Sequence, residues 1–464
     1  MGVERRCNKC LLAEKKRIED FLDGNNHSLL IYGKRRVGKT ELIKRSFGNR
    51  KYVYFECSKD TISNNAKAFV ASLSRHGYIS GDYEATSFSG VFSILEMLNT
   101  EINVVIDEYQ DLYKFEDSKK VDSQFQNIID NYLSNVKLII CGSNVAVMTS
   151  LLEEGNALFG RFDEVINLKE LSYLEAQQFY KDKSVYDKIG FYSVFGGSPY
   201  LNRMIKPELD LKTNIINNFL DEESPCYKYC ENLLFTDVPS STNINAICTT
   251  LKNGKKSCSE IENSTNSEKN GGMNKKLDLL TRMGLITKCQ PINKKGNQKA
   301  TRYELNDNAV RFFYSFVYQN KSILQVIGGK RFFEEYIEDK LITFISHRFE
   351  EIARSFFSIS VKNDRFKDII DIGTYYYDDP VNKTNGEFDV ALKLKNGSYR
   401  IVEVKYYKNN ILSLGEMRQE AEQVDRIKEI NIDSIVFIST SGCEKNEEYE
   451  SIDIGEIYSE QNEK

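Results

Sequence analysis

Short apolar runs recur along the first third of this chain, each bounded by polar or turn-forming residues. Ser28–Tyr32, Tyr52–Glu56, Ile102–Ile106, Val136–Cys141 and Glu164–Leu168 read as five strands in succession. Between them Asn65–Ser74, Gly90–Leu98 and Ser123–Leu133 read as helices. Alternating β and α elements predict a parallel sheet covered on both faces, which binds ligands at the carboxyl ends of its strands. Further on, Ile244–Leu251, Cys258–Glu262 and Met273–Met283 read as short helices. They are followed by strand-like Gly284–Lys288 and Thr301–Leu305, joined by the polar loop Asn293–Lys299. Three helices and a hairpin form a winged helix-turn-helix pattern. Lys275, Lys276 and Arg282 of its third helix, with Lys294, Lys295 and Lys299 of its loop, would touch DNA phosphates. A module used for protein contact has the same pattern. Beyond it, Asn385–Leu392, the turn Lys395-Asn396-Gly397 and Tyr399–Tyr406 alternate as a β-hairpin, and Leu414–Val424 reads as a helix. The expected fold is therefore α/β, with domains at residues 1–225, 226–325 and 326–464.

The first strand runs into Gly33-Lys34-Arg35-Arg36-Val37-Gly38-Lys39-Thr40, which has the spacing G-x-x-x-x-G-K-[ST], and helix-like Glu41-Leu42-Ile43-Lys44 follows. Strand, glycine loop and helix in that order make a phosphate cradle. The glycines let main-chain N–H groups turn inward, and the helix N-terminus favours negative charge. Lys39 would reach the β- and γ-phosphates of ATP, and the Thr40 hydroxyl would hold Mg²⁺. The strand Ile102–Ile106 ends in Asp107 and Glu108. Asp107 is placed to hold Mg²⁺, and Glu108 to take a proton from the attacking water. After Val136–Cys141 come Ser143 and Asn144, either of which could contact the γ-phosphate or the water; Asn144 is taken as the catalytic candidate.

Composition narrows the picture only a little. The chain has 464 residues, 41% hydrophobic and 28% charged, enough for several cores. A net charge of −5 does not announce nucleic-acid binding, which local patches decide. No apolar run is long enough to span a membrane and no signal-peptide core is visible, so the expected compartment is the cytoplasm. Ten cysteines and three histidines provide no zinc pattern beyond the lone Cys7-x-x-Cys10; Cys226 and Cys230, a helical turn apart, read as buried thiols.

Phe159-Gly160-Arg161 ahead of the fifth strand, and Gly196-Gly197-Ser198-Pro199-Tyr200-Leu201 after it, resemble the archaeal-type ATPases, relatives of the AAA+ and signal-transduction ATPases. The strand between the loop strand and the Asp-Glu strand resembles the additional-strand, catalytic-glutamate class of P-loop ATPases. The resemblance implies that Arg161 senses the γ-phosphate, in cis or from a second copy, and that Gly197 and Pro199 belong to a helical lid over the nucleotide. One departure is the opening segment Leu11–Ile18, which lacks the family's arginine in register. At the other end, Asp389 and Glu403-Val404-Lys405 resemble the PD-(D/E)xK nucleases. Asp389 and Glu403 would hold a metal there and Lys405 would orient the nucleophile. Glu350 would add a helix carboxylate, with Glu334 as rival, and Gln419 or Gln423 a polar group. The resemblance thus implies an Mg²⁺-dependent ATPase controlling a nuclease-like domain that acts on DNA. The alternative is an ATP switch whose C-terminal domain is an inactive scaffold for protein or DNA. A homo-oligomer or a protein partner fits either.

Overall fold

Ser28–Tyr32 (β1) is buried at every position, as a strand covered on both faces must be. In the computed structural model, which describes residues 10–99, 101–236, 243–266, 271–379, 384–427 and 430–459, β1 lies within a sheet of five parallel strands. The others are Val53–Glu56 (β2), Ile102–Asp107 (β3), Val136–Gly142 (β4) and Glu164–Asn167 (β5), in the order β2-β3-β4-β1-β5. β2 separates the loop strand from the Asp-Glu strand in sequence only. In the sheet β2 is at the edge, and β4 is the strand inserted between β1 and β3. That insertion brings the ends of β1, β4 and β3 side by side.

Helices Leu12–Asp23 (α1), Lys39–Phe47 (α2), Ile62–Arg75 (α3), Phe88–Met97 (α4) and Ser118–Asn131 (α5) cover the sheet. Successive strand residues point to opposite faces, so two cores form. Leu30, Val104, Leu138 and Ile140 face Phe69, Phe88 and Phe125. Leu29, Ile31, Val105 and Ile139 face Ile18, Phe21, Ile43 and Phe47. These elements make one compact unit, residues 10–170 with 282–284; the rest of the described chain from Leu171 makes a second.

In the second unit, Val185–Phe195 (α6) and the short Pro199–Asn202 (α7) are followed by Ile244–Leu251 (α8), Cys258–Ser264 (α9) and Gly272–Arg282 (α10). Ser257 and Glu260 close a capping box that starts α9. Ile286–Cys289 (β6) then pairs antiparallel with Arg302–Leu305 (β7). The loop between them is anchored rather than projecting. The Ile292 N–H donates to the Thr374 carbonyl, Asn293 bonds the main chain of Tyr376 both ways, and Lys295 pairs with Asp371 at 2.6 Å.

The long helix Glu338–Lys362 (α11) packs on a mixed sheet of Ile369–Asp379 (β8), Thr384–Leu394 (β9), Tyr399–Lys405 (β10), Ile432–Ser439 (β11) and Glu450–Ser451 (β12), ordered β12-β11-β10-β9-β8. Strands β8 to β10 are antiparallel and β11 joins β10 in parallel after the crossover helix Leu414–Asp425 (α12). Phe349, Ile352 and Phe356 of α11 meet Val390, Leu392 and Val402, while Met417, Ala421 and Val424 of α12 meet Ala391, Ile401 and Phe437. Cys226 and Cys230 are buried thiols, outside any disulfide, in the helix Pro225–Thr236. Cys10 is likewise buried, and Cys7 lies outside the described residues. Among the described residues no helix is long and apolar enough to cross a membrane.

Candidate nucleotide site and C-terminal carboxylates

The loop Gly33–Thr40 leaves the carboxyl end of β1 and closes into α2. A Cβ on Gly33 would stand 2.3 Å from the Leu168 carbonyl oxygen, so only glycine fits against that main chain. Gly38, at φ 98°, takes the left-handed conformation that turns the loop into the helix; Arg36 does so at 68°. Val37 is buried in the core, which fixes the loop from below. Lys34 pairs with Glu170 at 3.1 Å and the Arg35 Nε reaches the Ser143 hydroxyl at 3.4 Å. Lys39 is buried and donates to the carbonyls of Gly33 and Lys34 at 2.7 and 2.9 Å. Burial pulls its pKa down, against the opposing charges of Glu108 and Asp107. An ammonium held this way by neutral carbonyls can exchange them for phosphate oxygens. Gly33→Ala should therefore force the β1 end away from Leu168, costing about 1–3 kcal/mol. Thermal melts and ATP titration of that variant are expected to show both lower stability and weaker binding.

Asp107, buried at the end of β3, accepts from the Tyr54 hydroxyl, which also stands 3.4 Å from the Thr40 hydroxyl. Thr40, from the first turn of α2, and Asp107, from the end of β3, thus approach one point, an oxygen donor set suited to Mg²⁺. Burial first, then the Asp107 carboxylate, push the Tyr54 phenol up, so it remains a donor. Glu108 follows in a left-handed conformation, φ 52°, and accepts from the Ser143 hydroxyl at 2.7 Å and from the Gln110 amide. Of the two polar residues after β4 it is Ser143 that touches Glu108. Asn144 instead caps the helix Val145–Ser150, accepting from the Val147 N–H at 3.2 Å. Cap chemistry was visible in the sequence but could not be told from a catalytic asparagine.

Of the two roles expected for Arg161, its position disfavours the one in cis. Its carbonyl accepts from Ser28, at the start of β1, and its guanidinium binds Asp130 at 3.1 and 3.2 Å. The loop leaves the other end of β1, about 13 Å of strand away, so Arg161 does not reach a nucleotide held by its own loop. Arg17 of α1 is at the same end, bonded to Glu164 at 2.8 Å. Within the second unit, Pro199 is buried at the start of α7, and Gly197 packs where a Cβ would meet the Leu171 carbonyl at 2.1 Å.

The C-terminal carboxylates meet only in part. The β9–β10 register runs from Tyr399–Lys393 to Ile401–Ala391, and Asp389 and Glu403 follow it closely enough that the Asp389 charge acts on Glu403. Lys405, two residues on, pairs with Glu420 of α12 at 2.5 Å and stands 3.9 Å from Glu403. Burial pulls the Lys405 ammonium down, and the Glu420 bond and charge outweigh it. Glu350 contacts His347 at 3.3 Å and lies beside Asp389, whose carboxylate stands 3.8 Å from Lys255. Burial and the Asp389 charge raise Glu350, against His347. Among the described residues no three His, Cys, Asp or Glu side chains gather closely enough to share a metal ion. The ligand set expected around Asp389 and Glu403 is therefore not assembled, and no cleavage step is derived from it.

Glu403 is pushed up to about 7, by burial first, with Glu420, Asp389 and Glu350 adding to it and Lys405 opposing. A carboxyl with a raised native pKa binds more protons folded than unfolded, so stability falls as pH rises from the ordinary glutamate range to about 7. Glu403→Gln should remove that slope, and stabilise the chain at neutral pH by up to about 3 kcal/mol. Melting temperatures from pH 4.5 to 8 check it.

Comparison with known proteins agrees with the first unit. Residues 13–204 match the model of an ATPase domain found predominantly in Archaea, and residues 313–424 match archaeal and bacterial proteins of unknown function. An uncharacterised protein of Methanocaldococcus jannaschii is 26% identical over 352 residues, 74% of this chain and 75% of that protein. The Walker-type ATPase of Pyrococcus abyssi superposes with a TM-score of 0.52 at 18% identity, covering 66% of this chain and 95% of the other. The ORC2 protein of Aeropyrum pernix gives 0.43 at 12% identity over 68% of this chain and 94% of its own. The chain carries an archaeal-type, ATP-binding ATPase domain on a P-loop fold, followed by a C-terminal mixed-sheet region.

Proposed function

We propose that this protein is an ATP-hydrolysing switch whose second unit handles nucleic acid. The observation that carries the first half is the gathering of Lys39, Thr40, Asp107 and Glu108 at the carboxyl ends of β1 and β3, on either side of β4. ATP would lie along Gly33–Thr40, its phosphates facing the loop N–H groups and the Lys39 ammonium. Thr40 and Asp107 would hold Mg²⁺, which offsets charge on the phosphate oxygens. Glu108, released from Ser143, takes the proton of the attacking water. Ser143 and Gln110 hold that carboxylate in its resting position. Gly197 and Pro199 would contribute the lid, and Arg161 would serve a nucleotide on a second copy, releasing Asp130 to do so. Phosphate release by wild type and by Lys39→Ala tests the reading.

For the second unit, α8–α10 with the β6–β7 hairpin support a winged helix, and its lysines support contact with DNA phosphates. A second reading, cleavage, is favoured by Asp389 lying close enough to Glu403 for its charge to act there, with Lys405 3.9 Å from Glu403. Incubating supercoiled plasmid with the full chain and either Mg²⁺ or Mn²⁺ decides it. Nicking by wild type and not by Asp389→Ala supports a nuclease, and intact plasmid throughout leaves a binding domain.

A further inference from the structure

A cavity of about 850 Å³ opens within the second unit, between the β6–β7 loop, the turn after α8, α11 and the start of β9. Eight Lys or Arg and five Asp or Glu line it, so its walls are net positive. The charges are unevenly placed. Lys255 faces Glu387 and Asp389 at 3.4 and 3.8 Å, and Arg311 and Arg348 face Glu351 at 3.1 and 2.7 Å. Lys252, by contrast, donates to the Gln319 amide oxygen, and Arg302 to the carbonyls of Lys299 and Thr301. Lys294 and Lys299 have no carboxylate partner among the described residues. Four cations thus share one rim, and among the described residues none of them has a carboxylate within ion-pair distance.

The rim also has an aromatic face. Tyr376 lines the cavity, half-buried, and no other ring stacks on it among the described residues. Its main chain is tied to Asn293, next to Lys294. Cations that follow a backbone beside an open ring are what a single strand requires, phosphates for the first and a base for the second. The volume falls in the range of pockets for compact ligands, about 300–1,000 Å³, and so takes a nucleotide or two of a strand but no double helix. The anchored loop serves as a wall rather than as a free wing.

We propose that this cavity binds a segment of single-stranded nucleic acid, with phosphates along Lys252, Lys294, Lys299 and Arg302 and a base stacked on Tyr376. The proposal rests on the nucleic-acid reading of the second unit and narrows it. The test is fluorescence anisotropy of the full chain with a labelled oligothymidine of about 12 nucleotides. Lys294→Glu combined with Lys299→Glu should weaken binding at least about tenfold and flatten its salt dependence by roughly one power of salt concentration. Tyr376→Ala should weaken it about 5- to 150-fold, and Tyr376→Phe should restore it. ATP turnover without nucleic acid and the melting temperature should be unchanged in all three, which controls for folding. Unchanged oligonucleotide affinity in these variants overturns the cavity assignment while nucleic-acid binding survives. So does a chain that binds a duplex of the same sequence but not the single strand. Thymidine monophosphate binding as tightly as the oligomer overturns the strand assignment in favour of a free nucleotide. Binding to neither nucleic acid overturns both readings.

Discussion

Glu108→Gln is expected to bind ATP as the wild type does and to hydrolyse it about 10²–10⁴-fold more slowly. The amide keeps the shape and the hydrogen-bond contacts of the carboxylate with Ser143 and Gln110, so the β3 end should not move. What it loses is the capacity to accept a proton, which matters only once water attacks. The effect belongs in kcat, with KM nearly unchanged. Ser143→Ala should do something different. It removes the hydroxyl that holds Glu108 at 2.7 Å and leaves the base in place, so its rate should change far less. Single-turnover hydrolysis with a separate binding titration resolves the two. An unaltered rate in Glu108→Gln would mean that another group activates the water.

Arg311→Ala should destabilise the second unit by about 3–5 kcal/mol. The Arg311 side chain is only 5% exposed and lies between Glu304 at 3.5 Å and Glu351 at 3.1 Å, while also donating to the Leu305 carbonyl. It therefore joins β7 to α11. Removing it leaves two carboxylates in a shared, half-dry space, one of which is already raised by burial and by its neighbour. Proton uptake can relieve that repulsion, so the loss should be smaller near pH 5 than near pH 8. Adding Glu304→Gln and Glu351→Gln should recover most of it, because the uncompensated charge rather than the missing pair carries the cost. Differential scanning calorimetry is expected to show a downward shift of roughly 10 °C for the single variant. An unshifted transition would show that the network is solvated and worth little.

How much of this was legible in the sequence depended on whether a feature is local. The strands of the first unit could be read because each is a short, mostly apolar run, fully buried in β1 and nearly so in β3 and β4, and the loop because its glycines answer to main-chain sterics at Gly33 and Gly38. Asp107 and Glu108 followed from their position at a strand end. What was not legible lies in relations between strands. Sheet order put β4 beside β1, which made Ser143 the partner of Glu108 and left Asn144 as a helix cap. Arg161 lies at the far end of β1 because it immediately precedes β5, which runs parallel to β1, so the expected parallel sheet already implied that end. Tyr54 escaped notice because an aromatic in a strand reads as core, and its hydroxyl found Asp107 only through the pairing of β2 with β3. The polar loop Asn293–Lys299 looked like a solvated wing. Ile292 and Asn293 anchor it to β8 through pairings that no local pattern announces.

The account turns on one site performing the chemistry. Steady-state phosphate release by the full chain with ATP and Mg²⁺, compared with Lys39→Ala, tests this most directly. The proposed mechanism predicts turnover by the wild type and a loss of at least about 10²-fold in the variant, since the buried ammonium is held by the carbonyls of the loop along which the phosphates would lie. Equal rates in the two proteins would contradict it, and would mean that the loop Gly33–Thr40 does not hold the triphosphate.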